Sequence, residues 1–205
     1  MSFASSFKVF PVLSSERLTL SEIDLREAED FHRVQRSALD LLDRAPWEYG
    51  FETQSVEAAR SSLGFCQNAW KKKSRLRFGL RLEERGIEAI AGQPRASTLI
   101  GCCELFGIEN QYKAELGFWL GAAYQGKGYM SEAVGAVVEH AFGSMGMGRL
   151  YAQTSPQNMA SLRMLRKIGF VQEGILRQST RRGGNWDDSV IMAILASDAA
   201  SQVQM

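Results

Sequence analysis

Apolar positions change their spacing several times along the chain, and each change marks an element. Arg17-Leu-Thr-Leu20 alternates as a short first strand does. From Leu25 to about Leu42, the residues Ala28, Phe31, Val34, Leu41 and Leu42 recur at helical spacing and predict one or two helices. Arg44-Ala-Pro-Trp47 interrupts them, because proline disfavours helix in the residue before it. A further helix is expected from Ser55 to Trp70, with Ser55 as N-cap and Ala58, Ala59 and Leu63 facing inward. Lys71-Lys-Lys73 closes it with cations that suit the helix C-terminus, so this charge run reads first as a solvated helix end.

Strand patterns follow. Leu76–Leu82 alternates basic and apolar residues, Thr98–Phe106 is apolar, and Lys113–Leu120 is a third run bounded by Gly121. Between the first two, Glu83–Ala96 is a polar, glycine-containing loop. Three successive strands without an intervening helix imply an antiparallel meander. Beyond Gln125-Gly-Lys-Gly128 the period returns to helical, with Met130, Ala133, Val134, Val137, Val138, Ala141 and Phe142 on one broad face. Arg149–Thr154 is a strand. Ser155-Pro156 predicts the N-cap and first position of another helix, with Met159, Leu162, Leu165 and Ile168 inward and Gly169 past its end. Phe170–Glu173 and Ser189–Leu195 close the pattern as strands around a Gly183-Gly184-Asn185 turn. The sum is a mixed α+β domain, with helices flanking a largely antiparallel sheet. Residues 1–14 read as a flexible leader, 15–198 as one domain and 199–205 as a tail.

Composition narrows the classes. The 205 residues are 45% hydrophobic and 23% charged, the profile of an ordinary globule. With 24 basic and 23 acidic side chains, the net charge of +1 gives no overall field to attract nucleic acid, and no direct nucleic-acid partner is expected. Cys102 and Cys103 are adjacent on a strand and point to opposite faces, so they do not suit each other as disulfide partners. One further cysteine, Cys66, and two histidines, His32 and His140, offer no metal-ligand spacing, and no metal is expected. The start, Met1-Ser-Phe-Ala-Ser-Ser-Phe-Lys8, lacks the charged and apolar regions of a signal peptide. No apolar run approaches the ~20 residues that span a bilayer. A cytoplasmic protein with no membrane partner is the expectation, as monomer or homodimer.

The sharpest local feature is Gly121-Ala-Ala-Tyr-Gln125-Gly126-Lys127-Gly128-Tyr129-Met130-Ser131, between a strand and a helix. Small residues leave backbone N–H groups open there, and the helix N-terminus adds positive potential, which together suit phosphates. A nucleotide-binding P-loop would need Ser or Thr after Lys127 to hold Mg²⁺, and the chain has Gly128. A dinucleotide fingerprint starting at Gly126 would need its third glycine where Ser131 stands, and the βαβ order is absent.

A third pattern fits better. Gln125-x-x-Gly128-x-Met130 resembles the pyrophosphate loop of the GNAT acetyltransferase superfamily, with Met130 in the form found in its RimJ/RimL-like branch. Glu115-Leu-Gly-Phe-Trp-Leu120 resembles that branch's strand before the loop. Asn158-Met-Ala-Ser161 followed by Leu165-Arg-Lys-Ile-Gly-Phe170 is similar to its next helix and turn. Gly184-Asn-Trp-Asp-Asp188 resembles the terminal block, and Arg17-Leu-Thr-Leu20 and Pro46-Trp47 match more weakly. The likeness spans about residues 15–198. It implies the GNAT fold, acetyl-CoA as co-substrate and transfer of acetyl to a primary amine.

Site roles follow from the same resemblance. Two neighbouring parallel strands, Glu115–Leu120 and Arg149–Thr154, would splay around the pantetheine arm, with Phe118, Trp119 and Leu120 offering backbone groups. Gln125, Gly126, Lys127, Gly128, Tyr129, Met130 and Ser131 would form the pyrophosphate cradle. Asn158 would steady the pantetheine, or else cap its helix. Ser161 would protonate the leaving thiolate, since Leu165 stands where many relatives place a tyrosine; its alternative is a bond to a helix carbonyl. Glu115 would take the amine's proton directly or through water, with Glu104 as its competitor. Trp47 and Tyr49 would line the acceptor groove, or pack in the core.

The acceptor follows from proton chemistry. Freeing a neutral α-amine at pH 7 costs about 1.4 kcal/mol, against about 4.6 for lysine. A site without an obvious strong base therefore favours a protein N-terminus, a ribosomal protein among the candidates. A small amine such as a polyamine or an antibiotic is the alternative acceptor, and a P-loop-like nucleotide protein the more distant reading.

Overall fold

The structure is a computed structural model describing residues 10–39, 54–72, 74–83, 97–109, 112–182 and 184–202. Its strands are β1 (Leu13–Ser14), β2 (Leu18–Glu22), β3 (Arg75–Glu83), β4 (Ser97–Glu109), β5 (Lys113–Leu120), β6 (Arg149–Thr154), β7 (Val171–Arg182) and β8 (Asn185–Leu195). They form one sheet in the order β1-β2-β3-β4-β5-β6-β8-β7. Every neighbouring pair is antiparallel except β5 and β6, which run parallel. The helices are α1 (Ala28–Ser37), α2 (Val56–Lys71), α3 (Tyr129–Glu139), α4 (Met159–Ile168) and α5 (Ala196–Gln202). This is the mixed α+β fold expected from the sequence, with the meander and the parallel pair in place.

Both faces of the central strands are covered, which explains their nearly continuous apolar sequences. On one face Leu105, Leu116, Leu150 and Met192 join Ala133, Val134 and Val137 of α3 and Leu162 and Leu165 of α4 in the main core. On the other, Leu99, Cys102 and Trp119 pack with Phe31 and Val34 of α1 and Ala59 and Leu63 of α2. Cys103 belongs to the first cluster and Cys102 to the second, so the adjacent thiols do face opposite ways. Both are unpaired, and burial pushes each well above the ordinary thiol range.

The caps follow the chemistry of the chain. Ser55 opens α2 by accepting from Ala58 N at 3.1 Å. Gly169 closes α4 in the left-handed region, φ 106°. The start of α4 differs from expectation. Ser155-Pro156 forms a turn, in which the Ser155 hydroxyl accepts from Gln157 N at 3.3 Å, and the helix begins at Met159 with Asn158 as N-cap. Asparagine is at least as good a cap as serine, and its Oδ1 reaches Ser161 N at 3.1 Å.

Two other segments carry more structure than their patterns suggested. Phe10 lies 5.0 Å from the Trp70 ring and 5.1 Å from Phe78, and Leu13–Ser14 pair with β2, so the folded body reaches back into the expected leader. β7 and β8 extend beyond Phe170–Glu173 and Ser189–Leu195 into one long hairpin. Much of its far end is exposed, including Gln178, Arg181 and Trp186, so burial imposes no apolar alternation there. Leu41, Leu42 and the loop centred on residues 84–96 lie outside the described residues.

Gly101 of β4 marks the tightest approach in the sheet. A Cβ there would stand 2.4 Å from the Trp119 carbonyl oxygen and 3.0 Å from Leu120 Cα. Backbone cannot yield as a flexible side chain does. Gly101→Ala should therefore destabilise the fold by about 1 to 3 kcal/mol, read as a lower urea midpoint with an unchanged slope.

Candidate active site

β5 and β6 are paired only at their beginnings. Lys113 aligns with Arg149, Ala114 with Leu150 and Glu115 with Tyr151, and no later residue of β5 pairs with β6. On its other side β5 stays paired with β4 as far as Leu120, and β6 stays paired with β8 as far as Thr154. The two strands therefore part while each is held by its outer neighbour. The backbone of Phe118, Trp119 and Leu120 borders this opening. Their side chains serve the core instead: Trp119 is buried edge-on against Phe31 at 5.4 Å, and Leu120 joins the main cluster.

The loop after β5 stands at the mouth of the opening. Gln125 turns back and donates through Nε2 to the Leu120 carbonyl at 3.1 Å, closing the loop on the strand end. Gly126 (φ 73°) and Gly128 (φ 82°) occupy the left-handed region, which only glycine adopts readily. Gly128 is the N-cap of α3 and has no side chain to offer its N–H groups. Among the described residues, the amides of Tyr129, Met130 and Ser131 meet no acceptor. They are the orphan donors of a helix N-terminus, where the helix dipole adds positive potential. The Tyr129 and Met130 side chains pack on the main core and fix the helix start beneath them. Lys127 bends away, donating through Nζ to the Ala123 carbonyl at 2.9 Å. That is unlike a P-loop lysine, which reaches the terminal phosphates.

α4 leaves the end of β6 as α3 leaves the end of β5, so both N-termini rise at the carboxyl ends of the parted strands, where open sheets bind ligands. Asn158 is spent through Oδ1 on the helix cap, the alternative its sequence position had left open. Ser161, in the first turn, is half-buried, and its hydroxyl takes no partner among the described residues. It is not bonded back to a helix carbonyl.

Glu115 and Glu104 are both buried on the sheet face opposite the main core, but their surroundings differ. Glu104 Oε2 accepts from Arg77 Nε at 2.9 Å and from Arg75 Nη1 at 3.2 Å. Arg77 itself is only 5% exposed, which its place in a basic and apolar alternation did not suggest. Glu115 instead bonds to Tyr151 and Gln153 of β6. Burial pushes its carboxyl above the ordinary range, against the pull of those two bonds, and the charge of Glu104 adds to the rise. Tyr151 and Gln153 were not singled out from the sequence. Their alternation along β6 puts them on one face, and only the register with β5 shows that this face holds Glu115. Trp47 and Tyr49 lie outside the described residues. Among the described residues no group of His, Cys, Asp or Glu is placed to hold a metal, and no helix is long and apolar enough to cross a membrane.

A parted parallel strand pair, a phosphate-suited loop at its mouth and a buried carboxylate beside it define an acyl-transfer scaffold. Residues 17–171 match the acetyltransferase (GNAT) domain family. A probable N-acetyltransferase of Bacillus subtilis, YjcK, is 30% identical over 189 residues, covering 91% of this chain and 98% of that protein. The [ribosomal protein uS5]-alanine N-acetyltransferase of Escherichia coli is 25% identical over 193 residues, covering 91% of each. Among solved structures, the ribosomal L7/L12 α-N-protein acetyltransferase RimL, in complex with coenzyme A, superposes with a TM-score of 0.78 at 20% identity. That match covers 92% of this chain and 99% of RimL. The chain belongs to the GNAT acetyltransferase family, and it is an N-acetyltransferase.

The raised Glu115 carboxyl has a consequence for stability. The folded protein keeps this proton to higher pH than the unfolded chain does. The contribution is complete below the ordinary carboxylate value and is lost as pH rises through the folded one. Glu115→Gln does not titrate. Its thermal midpoint, relative to the parent, should climb as pH rises from about 4 toward neutrality and then level off. A constant difference between the two proteins over that range would contradict the assignment.

Proposed function

We propose that the enzyme moves an acetyl group from acetyl-CoA to a primary amine, foremost the α-amine of a protein N-terminus, within a ternary complex. The observation that carries this reading is the end of β5–β6 pairing at Glu115 and Tyr151, with the glycine loop at the mouth. The backbone of Phe118 to Leu120 would pair with the amides of pantetheine as a strand would. The amides of Gly126, Gly128, Tyr129, Met130 and Ser131 would receive the pyrophosphate, in a loop shaped by Gln125 and Lys127. Asn158, with Oδ1 occupied, would keep its Nδ2 for the pantetheine arm.

Glu115 is the group we assign to the acceptor's proton, directly or through a water. Its raised affinity for protons suits a base working near neutrality better than an exposed carboxylate would. Glu104 is tied to two arginines and serves the fold. The amine nitrogen forms a C–N bond as the C–S bond breaks. The nitrogen's proton passes to Glu115, and Ser161 Oγ gives one to the departing thiolate and regains it from solvent. The buried thiols Cys102 and Cys103 take no part.

The lower cost of deprotonating an α-amine favours a protein N-terminus, and the relative that acetylates the uS5 alanine supports it. Ribosomal proteins are thus the first acceptors to try, with Trp47 and Tyr49 as candidate walls of their groove. A polyamine or antibiotic acceptor would use the same donor side. The cytoplasm, where acetyl-CoA and nascent N-termini meet, is the proposed location.

Calorimetry should show micromolar binding of acetyl-CoA and none of Mg·ATP; the reverse would restore the nucleotide reading. With donor fixed, turnover on N-terminal peptides against polyamines and aminoglycosides identifies the acceptor class, and activity confined to the small amines would overturn the first choice. Glu115→Gln and Ser161→Ala should each lower kcat by about 10² to 10⁴-fold with little change in the KM for acetyl-CoA. A variant that keeps full kcat removes that residue from the chemistry.

A further inference from the structure

We infer that Arg17, at the entry to β2, is a positioning residue that braces the phosphate loop from outside. The inference rests on the coenzyme reading above. Arg17 is far from the loop in sequence, and its Nη1 donates to the Lys127 carbonyl at 3.1 Å. Its guanidinium stacks on the Tyr129 ring, 4.5 Å from the centroid, and Nη2 lies 3.4 Å from where a Cβ of Gly128 would stand. One side chain thus touches Lys127 and Tyr129, the residues on either side of Gly128.

Arg17 is itself locked. Its Nε donates to Glu132 Oε2 at 2.8 Å and its backbone N to Oε1 at 2.6 Å, where the Ser15 hydroxyl also donates at 2.6 Å. Glu132 lies in the first turn of α3, so the brace ties β2, the loop and the helix start together. The half-buried setting, with side chains 32% and 15% exposed, shields this pair better than a surface pair.

The effect on an anion follows from peptide geometry. In a trans peptide the C=O and the next N–H point in opposite directions. Holding the Lys127 carbonyl on the Arg17 side therefore turns the Gly128 N–H to the other side. The same contact limits the freedom of two glycines that would otherwise sample many conformations. Charge matters as well. Glu132 is a carboxylate within one turn of the proposed pyrophosphate cradle, and Arg17 neutralises it. Without Arg17 the cradle would be looser and would face an unpaired negative charge.

The test uses the full chain, with coenzyme A titrated by calorimetry and amide hydrogen exchange followed across residues 125–131 of the ligand-free protein. Arg17→Ala should weaken coenzyme A binding by roughly tenfold or more, the loss of a charge-assisted bond. It should also speed exchange in the loop. Adding Glu132→Gln to Arg17→Ala should recover part of the affinity, which a merely structural defect would not do. Arg17→Lys keeps the ion pair and the fold but lacks the fork that reaches Glu132 and Lys127 together, so it should also bind more weakly than wild type. Full affinity in Arg17→Lys, or unchanged exchange and affinity in Arg17→Ala, overturns the brace. If wild type failed to bind coenzyme A, the functional reading would fall. Loop exchange in the variants would still decide the brace, faster exchange upholding it and unchanged exchange overturning it.

Discussion

The site depends on one departure from ordinary sheet construction: two central strands part where hydrogen bonding should continue. Buried backbone groups need partners, and unpaired strand edges inside a sheet are costly. The fold supports this opening because neither strand relies on the other. β5 is fixed by β4 along Leu116–Leu120, and β6 by β8 along its whole length. Leu116, Leu150 and Ala152 are buried below them in a core shared with α3 and α4. Each side of the opening is thus held by its own outer neighbour, and beyond Glu115 and Tyr151 the two strands do not pair with each other. The glycine loop and two helix N-termini stand at its mouth because each parted strand feeds directly into a loop and then a helix.

Electrostatics on the opposite face separate two buried carboxylates. Glu104 lies against two guanidinium groups, and an ion pair of that depth fixes both partners in place. Glu115, one strand over, has the neutral Tyr151 and Gln153 beside it, and Arg75, which is paired with Glu104, acts on it only weakly through its charge. The Glu104 side chain lies along this part of β5, where a Cβ at Gly117 would stand 3.4 Å from Glu104 Cγ. The fixed negative charge of Glu104 then helps raise the proton affinity of its neighbour. The two carboxylates are set apart here by their partners more than by their exposure.

The legible parts of the sequence were those whose signal is local. The Ser55 cap, the α3 apolar face and the Lys113–Leu120 strand could be read because cap chemistry and burial period lie within a few residues. The glycine loop was legible for the same reason, since left-handed glycines and an uncapped helix start are properties of adjacent residues. What stayed hidden needed contacts between distant segments. Arg77 alternates like a solvent-facing residue, and only the covering helices and Glu104 make it buried. Ser155-Pro156 and Asn158 both carry capping chemistry, and three residues of spacing decided between them in favour of the asparagine. The hairpin of β7 and β8 runs into solvent, so its strands lack the apolar alternation that would have announced them.

The two halves of the site also differ in the atoms they are made from, and this bears on how such enzymes diverge. The proposed donor side is built mostly of backbone: strand amides beside the opening, loop amides, the first N–H groups of α3. Backbone donors survive almost any substitution that keeps the glycines and the core. The carboxylate side is built of side chains, Glu115, Tyr151, Gln153 and Glu104 with its arginines, and a single exchange alters it. A family on this scaffold can therefore keep one donor while its acceptors change. The GNAT fold and the glycine loop are for that reason firmer guides to the coenzyme than to the amine. On the proposed reading, side chains around Glu115 would set the acceptor, and the low cost of freeing an α-amine is what favours a protein N-terminus there.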